Sequence, residues 1–178
     1  AESLPAGSAH DDTVVGPSID ESQRDEMLEY VEETVEAGAT LETGGSTVKL
    51  DGVDDSLVVE PTVLSDVTNV MAAACNEHFG PIAPVIPFET VDEAVDLANA
   101  TEYGLSGSVH GDLDTALDIA DRMDTGHVND QPINDEAHVP FSGTNASGMG
   151  GYNSETIMNE LTETKWISLQ RDEREYPF

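Results

Sequence analysis

Short strand-like segments alternate with helical patterns along this chain, and this alternation restricts the folds that it can adopt. The strand candidates lie at 40–43, 57–64, 85–88 and 106–109. Between them, apolar residues recur at helical spacing. Because strands separated by helices usually pair in parallel, the sequence predicts an α/β fold with a largely parallel sheet flanked by helices.

The first predicted helix has a start signal, an apolar face and a stop signal. Ser18 and Glu21 have the spacing of a capping box, in which two side chains satisfy free backbone N–H groups. The apolar face recurs at four-residue intervals, at Met27, Val31 and Val35, with Tyr30 and Thr34 beside them. Gly38 then supplies the stop.

Two further helices are predicted downstream. Thr90 and Glu93 form a second capping-box pattern, and Asp112 is placed to cap a third helix. Leu113, Leu117 and Ala120 are predicted to lie on one side of this third helix, with Ala116 and Met123 nearby. Gly126 is the expected stop.

Acidic residues greatly outnumber basic ones. There are 37 Asp and Glu residues against 6 Lys and Arg, which gives a formal net charge of −31 at pH 7. Such a chain repels nucleic-acid phosphates, so nucleic-acid binding is not expected. The acids are interspersed with periodic apolar positions, which favours a folded chain over a disordered one. Because the Debye length falls to about 3 Å in molar salt, the composition indicates a salt-adapted, halophile-type protein.

The sequence contains no apolar run of about 18 residues, so a membrane span is not expected. Residues 1–5 have neither the basic region nor the apolar core of a signal peptide, and we therefore expect a cytoplasmic protein. The single Cys75 excludes a disulfide within this sequence. Small apolar neighbours at 71–74 predict that Cys75 is a buried structural residue without a reactive thiolate.

A carboxylate and an aromatic side chain stand two residues apart in the segment 74–81, which reads Ala-Cys-Asn-Glu-His-Phe-Gly-Pro. In an extended segment, Glu77 and Phe79 would point to the same side and could face one ligand. The carboxylate could then accept hydrogen bonds from a ribose diol while the ring flanks a flat heterocycle. Alternatively, Glu77 is one more surface acid and Phe79 anchors the core. The residues alone leave both interpretations open.

Two polar stretches resemble ligand sites at first inspection. Segment 129–138 offers several oxygens and an imidazole, but counting from Asp130 the sixth position is Asp135 rather than the glycine of a calcium loop. We therefore expect a polar loop without a metal. Segment 142–151 is rich in glycine but lacks the lysine of a phosphate-binding P-loop, which predicts a tight, glycine-dependent turn.

Three segments resemble the aldehyde dehydrogenase superfamily. Asn-Glu-His-Phe-Gly-Pro at 76–81 is similar to the family's Glu-Glu-Ile-Phe-Gly-Pro. Pro-Phe-Ser-Gly-Thr-Asn-Ala-Ser-Gly-Met-Gly at 140–150 is similar to its Pro-Phe-Gly-Gly-x-Lys-x-Ser-Gly-x-Gly-Arg-Glu. Segment 162–169 resembles its terminal strand. From about Val14 to Trp166, the order of segments resembles the C-terminal part of such an enzyme.

The resemblance implies roles for three residues. Glu77 would bind the nicotinamide ribose of NAD or NADP, Phe79 would lie beside the nicotinamide, and Phe141 would line the aldehyde pocket. The complete enzyme would oxidise an aldehyde to a carboxylic acid with the cofactor as hydride acceptor. The terminal strand would add to the sheet of a neighbouring subunit, in a homo-oligomer or with a full-length relative.

The same segments depart from the family pattern. Ser142, Asn145 and Gly151 stand where the family has glycine, lysine and arginine. Segment 124–129 also looks about two residues shorter than the family's Thr-Gly-x-Val-x-x-Asn. A glycine lost at a position of positive φ predicts strain of about 1–3 kcal/mol at Ser142. Such departures are expected of drift without selection for activity.

The resemblance also implies a domain organisation. Residues 1–16 form a loop or arm, 17–164 form the C-terminal part of the catalytic domain, and 165–178 form the oligomerisation strand and a polar tail. The family's nucleophilic cysteine, glutamate base and dinucleotide-binding domain belong to upstream segments, so we assign no catalytic residue and expect no activity from these residues alone.

Three hypotheses remain open at this point. The sequence is a relic or partial record of an aldehyde dehydrogenase, one chain of a split enzyme, or a non-catalytic subunit that joins full-length paralogues.

Overall fold

The computed structural model describes residues 1–8, 10, 12–49, 57–123 and 126–177. The chain divides into two compact units, residues 1–101 and 102–178. Within the predicted N-terminal arm, an isolated parallel bridge joins Ala6 to Val15. Asp124 and Thr125, in the segment predicted to be shortened, lie outside the described residues.

Over its described residues, the first unit has a three-stranded mixed sheet and three helices. Its elements are α1 (Glu21–Glu36), β1 (Thr40–Thr43), β2 (Thr62–Ser65), α2 (Ala72–Cys75), β3 (Ile82–Pro84) and α3 (Val91–Asn99). The strand order is β1-β2-β3. β2 pairs antiparallel with β1, where Leu64 lies opposite Leu41, and parallel with β3, where Val63 lies opposite Ala83.

The core of this unit lies between α1, the sheet and α2. It consists of Met27, Val31, Ala39, Val59, Leu64, Val67, Ala73 and Ile82. Burying a large side chain such as Met27 or Leu64 contributes roughly 1.5–3 kcal/mol. This apolar contact therefore stabilises α1 despite the largely acidic opposite face of that helix.

In the described part of the second unit there are four very short strands and two helices. They are β4 (Tyr103–Gly104), β5 (Ser108–Val109), α4 (Leu113–Asp121), β6 (His127–Val128), β7 (Thr144–Asn145) and α5 (Ser154–Leu161). β4 pairs antiparallel with β7, and β5 pairs parallel with β6.

Helix starts agree with two of the three predicted caps. Thr90 accepts a hydrogen bond from the Glu93 N–H, and Asp112 accepts one from the Thr115 N–H. The cap predicted for α1 is wrong, because the N-cap residue is Asp20 rather than Ser18. The Asp20 side chain accepts the Gln23 N–H. Ser18 instead donates its backbone N–H to the Leu57 carbonyl, which holds it outside the helix.

Two helix faces also differ from the prediction. In α1 Met27, Val31 and the neighbouring Thr34 are buried, whereas Val35 is exposed. In α4 the buried residue is Ala116, while Leu113 and Leu117 are exposed. α4 also ends at Asp121, several residues before Gly126.

The strand predicted at 85–88 is wrong, because the strand is Ile82–Pro84. β2, its partner, ends at Ser65, and Asp66 turns the chain with φ 56°. Among the described residues, the β2–β3 and β5–β6 pairings are parallel, and the β1–β2 and β4–β7 pairings are antiparallel. The predicted strand 57–64 is reduced to Thr62–Ser65, preceded by a bridge from Val59 to Thr47.

Two expectations about the C-terminal region are revised. Ser142 does not have positive φ, so the strain predicted there is absent; positive φ occurs instead at Asn145, Gly148 and Gly150. Residues 162–170 form no strand within the described part of the chain. The pairing of segment 162–169 with a neighbouring subunit stays a prediction.

Candidate functional site

Helix α2 positions the loop that carries Glu77 and Phe79. Its buried residue, Ala73, donates its backbone N–H to the Thr34 hydroxyl at 2.9 Å, so α1 satisfies a free N–H in the first turn of α2. The helix ends where Asn76 adopts an extended backbone, with its N–H bonded to the Ala72 carbonyl. Packing of α2 against α1 therefore fixes the position from which the loop of residues 76–80 starts.

Glu77 and Phe79 are both exposed, and Phe79 has 75% of its surface accessible. The backbone at Phe79 has φ 35°, in the left-handed region, so segment 77–79 is not regularly extended. The backbone therefore lacks the extended conformation that would direct the Glu77 and Phe79 side chains to the same side. Phe79 does not anchor the core; its ring lines a shallow cavity of about 240 Å³ together with Pro17 and Met27.

Gly80 allows this loop to pass directly over the core. A Cβ built on Gly80 would lie 1.8 Å from the Met27 sulfur, which is buried beneath it. A side chain at this position would push the loop away from α1. The Gly-Pro pair thus fixes how closely Phe79 and its neighbours lie on the first unit.

His78, between the two predicted site residues, is half-buried. Burial lowers the pKa of His78 below its ordinary value of 6.5, whereas a hydrogen bond to the Ala73 backbone and the charge of Glu77 act in the opposite direction. The neutral imidazole is therefore favoured in the folded chain.

Cys75 is exposed, so the prediction of a buried cysteine is wrong. Only Ala73 is buried in α2, and Cys75 at the helix end faces outward instead. It lines an open cavity of about 520 Å³ with Val70 and Met71.

Phe141 lines a cavity in the second unit. The cavity has a volume of about 510 Å³, and its apolar lining residues are Leu105, Val139, Pro140 and Phe141. Reciprocal backbone hydrogen bonds between Phe141 and Tyr152 hold the aromatic residue in place. Its side chain is 37% exposed and accessible from the cavity.

A polar loop that follows β6 also lines this cavity. Asn134, Asp135 and Glu136 line the cavity and belong to the stretch expected to be an ordinary polar loop. Sequence reasoning missed them as site residues. The available signal was their position a few residues before the Pro-Phe pair at 140–141.

Side-chain hydrogen bonds anchor that loop. The Ser106 hydroxyl donates to the Pro132 carbonyl, and the Ser108 hydroxyl donates to the Asp130 carbonyl. The Asn129 side chain accepts from the Gly111 N–H at 2.8 Å and donates to the Gly111 carbonyl at 3.0 Å. These contacts fix the loop at the point where it leaves the β5–β6 pair.

Asp130 adds a turn within the same loop. Its carboxylate accepts the Gln131 N–H and the Asn134 side-chain amide, and these bonds lower the pKa of Asp130.

Over the described residues, no group of three or more His, Cys, Asp or Glu side chains is arranged to hold a metal ion. None of the described helices is long and apolar enough to cross a membrane.

Residues 1–167 match the protein-family model described as Aldehyde dehydrogenase family. The chain belongs to this family. Among curated relatives, benzaldehyde dehydrogenase YfmT of Bacillus subtilis is 44% identical over 99% of the chain and 36% of the relative. The benzaldehyde dehydrogenase [NAD(+)] of Pseudomonas putida is 41% identical over 100% of the chain and 36% of its own length. A vanillin dehydrogenase of Amycolatopsis is 40% identical with the same coverage.

Solved structures confirm the fold class. Betaine aldehyde dehydrogenase from Staphylococcus aureus in complex with NAD+ superposes with a TM-score of 0.82 and 32% identity, over 89% of this chain and 32% of that one. Mycobacterium tuberculosis aldehyde dehydrogenase complexed with NAD+ has a TM-score of 0.82 and 33% identity, over 91% and 34%. The α/β aldehyde dehydrogenase fold is thus confirmed, and the chain spans about a third of its relatives' length.

Proposed function

We propose that the chain forms part of an NAD(P)-dependent dehydrogenase that oxidises aromatic aldehydes to carboxylic acids. The observation that carries this proposal is the cavity around Phe141. Its volume of about 510 Å³ lies within the range of roughly 300–1,000 Å³ that is typical of small-molecule sites. Its wall combines an aromatic ring with aliphatic side chains, which suits a flat apolar substrate.

The relatives support the choice of an aromatic aldehyde. Benzaldehyde and vanillin dehydrogenases are 40–44% identical over nearly the whole chain. Both substrates carry one aromatic ring, which Phe141 and Val139 can contact from the cavity wall. An offset or edge-on aromatic contact adds about 0.5–1.5 kcal/mol to the burial of the ring.

Glu77 and Phe79 are proposed to contact the cofactor, NAD or NADP. Their fit rests on two features: the carboxylate is exposed and can accept hydrogen bonds from the ribose hydroxyls, and the Phe79 ring offers an open face to a nicotinamide. When bound, the cofactor would supply the hydride acceptor.

The proposal includes no catalytic residue within these 178 residues. Cys75 is exposed but belongs to the end of α2, outside the Phe141 cavity, and lies in the other unit. We therefore expect the chain alone to show no aldehyde-dependent reduction of NAD(P)+, because the covalent route needs a nucleophile at the aldehyde carbon.

A chimeric enzyme tests the proposed function. In it, this chain replaces the segment of B. subtilis benzaldehyde dehydrogenase YfmT that it matches, and benzaldehyde oxidation is followed by the absorbance of reduced nicotinamide. We expect turnover in the chimera and at least a tenfold loss of kcat/KM in its Glu77→Gln variant, the loss expected when charge-assisted bonds to the ribose are removed.

Glu29→Gln is the matched control, because Glu29 is also an exposed acid but lies on α1. It should leave the turnover unchanged. A folded chimera without activity would contradict the proposal, and so would equal activity in the Glu77 and Glu29 variants.

A second role, association through the C-terminal segment, is supported by its exposed apolar residues. Trp166 is 92% exposed, and Ile167 and Leu169 are also exposed. Large apolar side chains on an unpaired segment favour addition to the edge of another sheet. We propose that segment 162–169 pairs with a second copy or with another aldehyde dehydrogenase subunit.

Sedimentation in molar KCl tests this role. The chain should form dimers or larger species, and Trp166→Ser with Ile167→Ser should weaken them. Ile133→Ser is the control, since Ile133 is equally exposed but lies in the polar loop. A monomer that stays monomeric when a full-length relative is added would contradict the proposed pairing.

A further inference from the structure

The cavity around Phe141 has an acidic side as well as an apolar one. Asp135 and Glu136 are lining residues, and the described part of the lining includes neither lysine nor arginine. His127 also lines the cavity. The electrostatic potential at the apolar wall is therefore negative at neutral pH.

The Asp135 carboxylate is held in place by Asn153, which follows Phe141 in the sequence. The Asn153 side-chain amide donates to the Asp135 carboxylate at 2.6 Å and lies 3.5 Å from the Glu136 carbonyl. A backbone hydrogen bond from Ser154 to the Ala137 carbonyl joins the same two segments. Because the loop is also anchored after β6, both of its ends are fixed.

The two acids differ in their partners. Glu136 lies 3.7 Å from the imidazole of His138. The partner of Asp135 is a neutral amide, which orients the carboxylate without removing its charge. Asp135 is thus a negative charge of this wall that a hydrogen bond holds in place.

We infer that Asp135 is a specificity-determining residue that makes this pocket accept uncharged aromatic aldehydes and reject those that carry a carboxylate. The inference rests on the proposed function of the cavity. A carboxylate on the substrate ring meets a like charge that cannot turn away, whereas a ring hydroxyl can donate a hydrogen bond to it.

Binding of two unreactive probes to the full 178-residue chain tests the inference without turnover. Benzamide is uncharged, and 4-carbamoylbenzoate is the same molecule with one carboxylate. Affinities are measured in molar KCl from backbone amide shifts around Ser106 and Gly126. We expect benzamide to bind about tenfold more tightly, and this ratio to increase as salt is lowered within the range where the chain stays folded.

Three variants assign the effect to Asp135. Asp135→Asn should reduce the ratio to about twofold. Asp118→Asn makes the same chemical change on the exposed side of α4 and should leave the tenfold ratio intact. Asn153→Gly keeps the positive φ of 61° but removes the amide that holds Asp135, and should give an intermediate ratio.

Equal ratios in the wild-type chain and Asp135→Asn would overturn the inference, as would the absence of binding by both probes. The chimeric enzyme separates this failure from failure of the proposed function. If it oxidises benzaldehyde but Asp135→Asn does not increase its relative use of 4-carboxybenzaldehyde, only the inference is wrong. If it is inactive while the chain discriminates through Asp135, only the proposed function is wrong.

Discussion

At the scale of single residues, Gly80 and His78 determine how the Glu77–Phe79 loop lies on the first unit. Gly80 leaves no room for a side chain above the Met27 sulfur. His78 lies within this loop, is half-buried and is favoured in its neutral form. Both residues act on the loop through the core beneath it, so changes at either should be detected first as changes in stability.

Gly80→Ala should destabilise the chain by about 1–3 kcal/mol, the usual cost of forcing an extra group into a packed core. Met27 is buried and cannot move aside freely. Chemical denaturation in molar KCl measures the loss. Gly16→Ala is the control, since a Cβ there meets nothing within 4 Å; equal midpoints for the two variants would contradict the packing argument.

His78 should contribute to loss of stability in mild acid. Its folded pKa is lowered from 6.5, so the unfolded chain binds the proton more readily and the free energy of unfolding falls as pH drops through 6.5 towards the folded pKa. His78→Gln should flatten this slope between about pH 7 and 5. Thermal melts across that range measure it, with His138→Gln, an exposed histidine, as the control. An unchanged slope in His78→Gln would show that other groups cause the loss.

At the scale of elements, the contact between α1 and α2 decides where the candidate cofactor residues begin. Thr34 is fully buried, and its hydroxyl accepts the Ala73 N–H. α2 has only four residues, too few to be stable by itself. Its position therefore depends on this bond and on the burial of Ala73.

Thr34→Val keeps the shape of the side chain but leaves the Ala73 N–H buried without a partner. The expected cost is about 1–3 kcal/mol, together with faster amide hydrogen exchange at Ala73 and Ala74. Thr34→Ser retains the hydroxyl, so it should keep the exchange protection even though it loses a methyl group. Equal protection in the two variants would show that the bond does not hold α2.

At the scale of the whole molecule, the charge of −31 opposes compaction in dilute buffer. The chain should be largely unfolded at low ionic strength and gain helical circular-dichroism signal as KCl rises to molar levels, because the Debye length falls from about 10 Å at 0.1 M to about 3 Å at 1 M. Sucrose of matched osmolality should restore much less signal. The same helical signal at both ends of the KCl titration would contradict this prediction.

Features that depend on neighbouring residues were predictable from the sequence. β1 at Thr40–Thr43 and the caps Thr90 and Asp112 occur where local patterns placed them, because capping bonds and strand propensity involve residues only a few positions apart. The motifs at 76–81 and 140–150 likewise indicated the family, which the family match confirms.

The tertiary structure decided which side chains those elements bury and which residues meet. The Thr34 hydroxyl meets the Ala73 N–H, 39 positions away, and at the end of α2 Cys75 is exposed and Phe79 has a positive φ. Asp135 joins the wall of the Phe141 cavity through Asn153, 18 positions downstream. Such contacts depend on how the chain folds back on itself, and periodicity within a dozen residues contains no information about them.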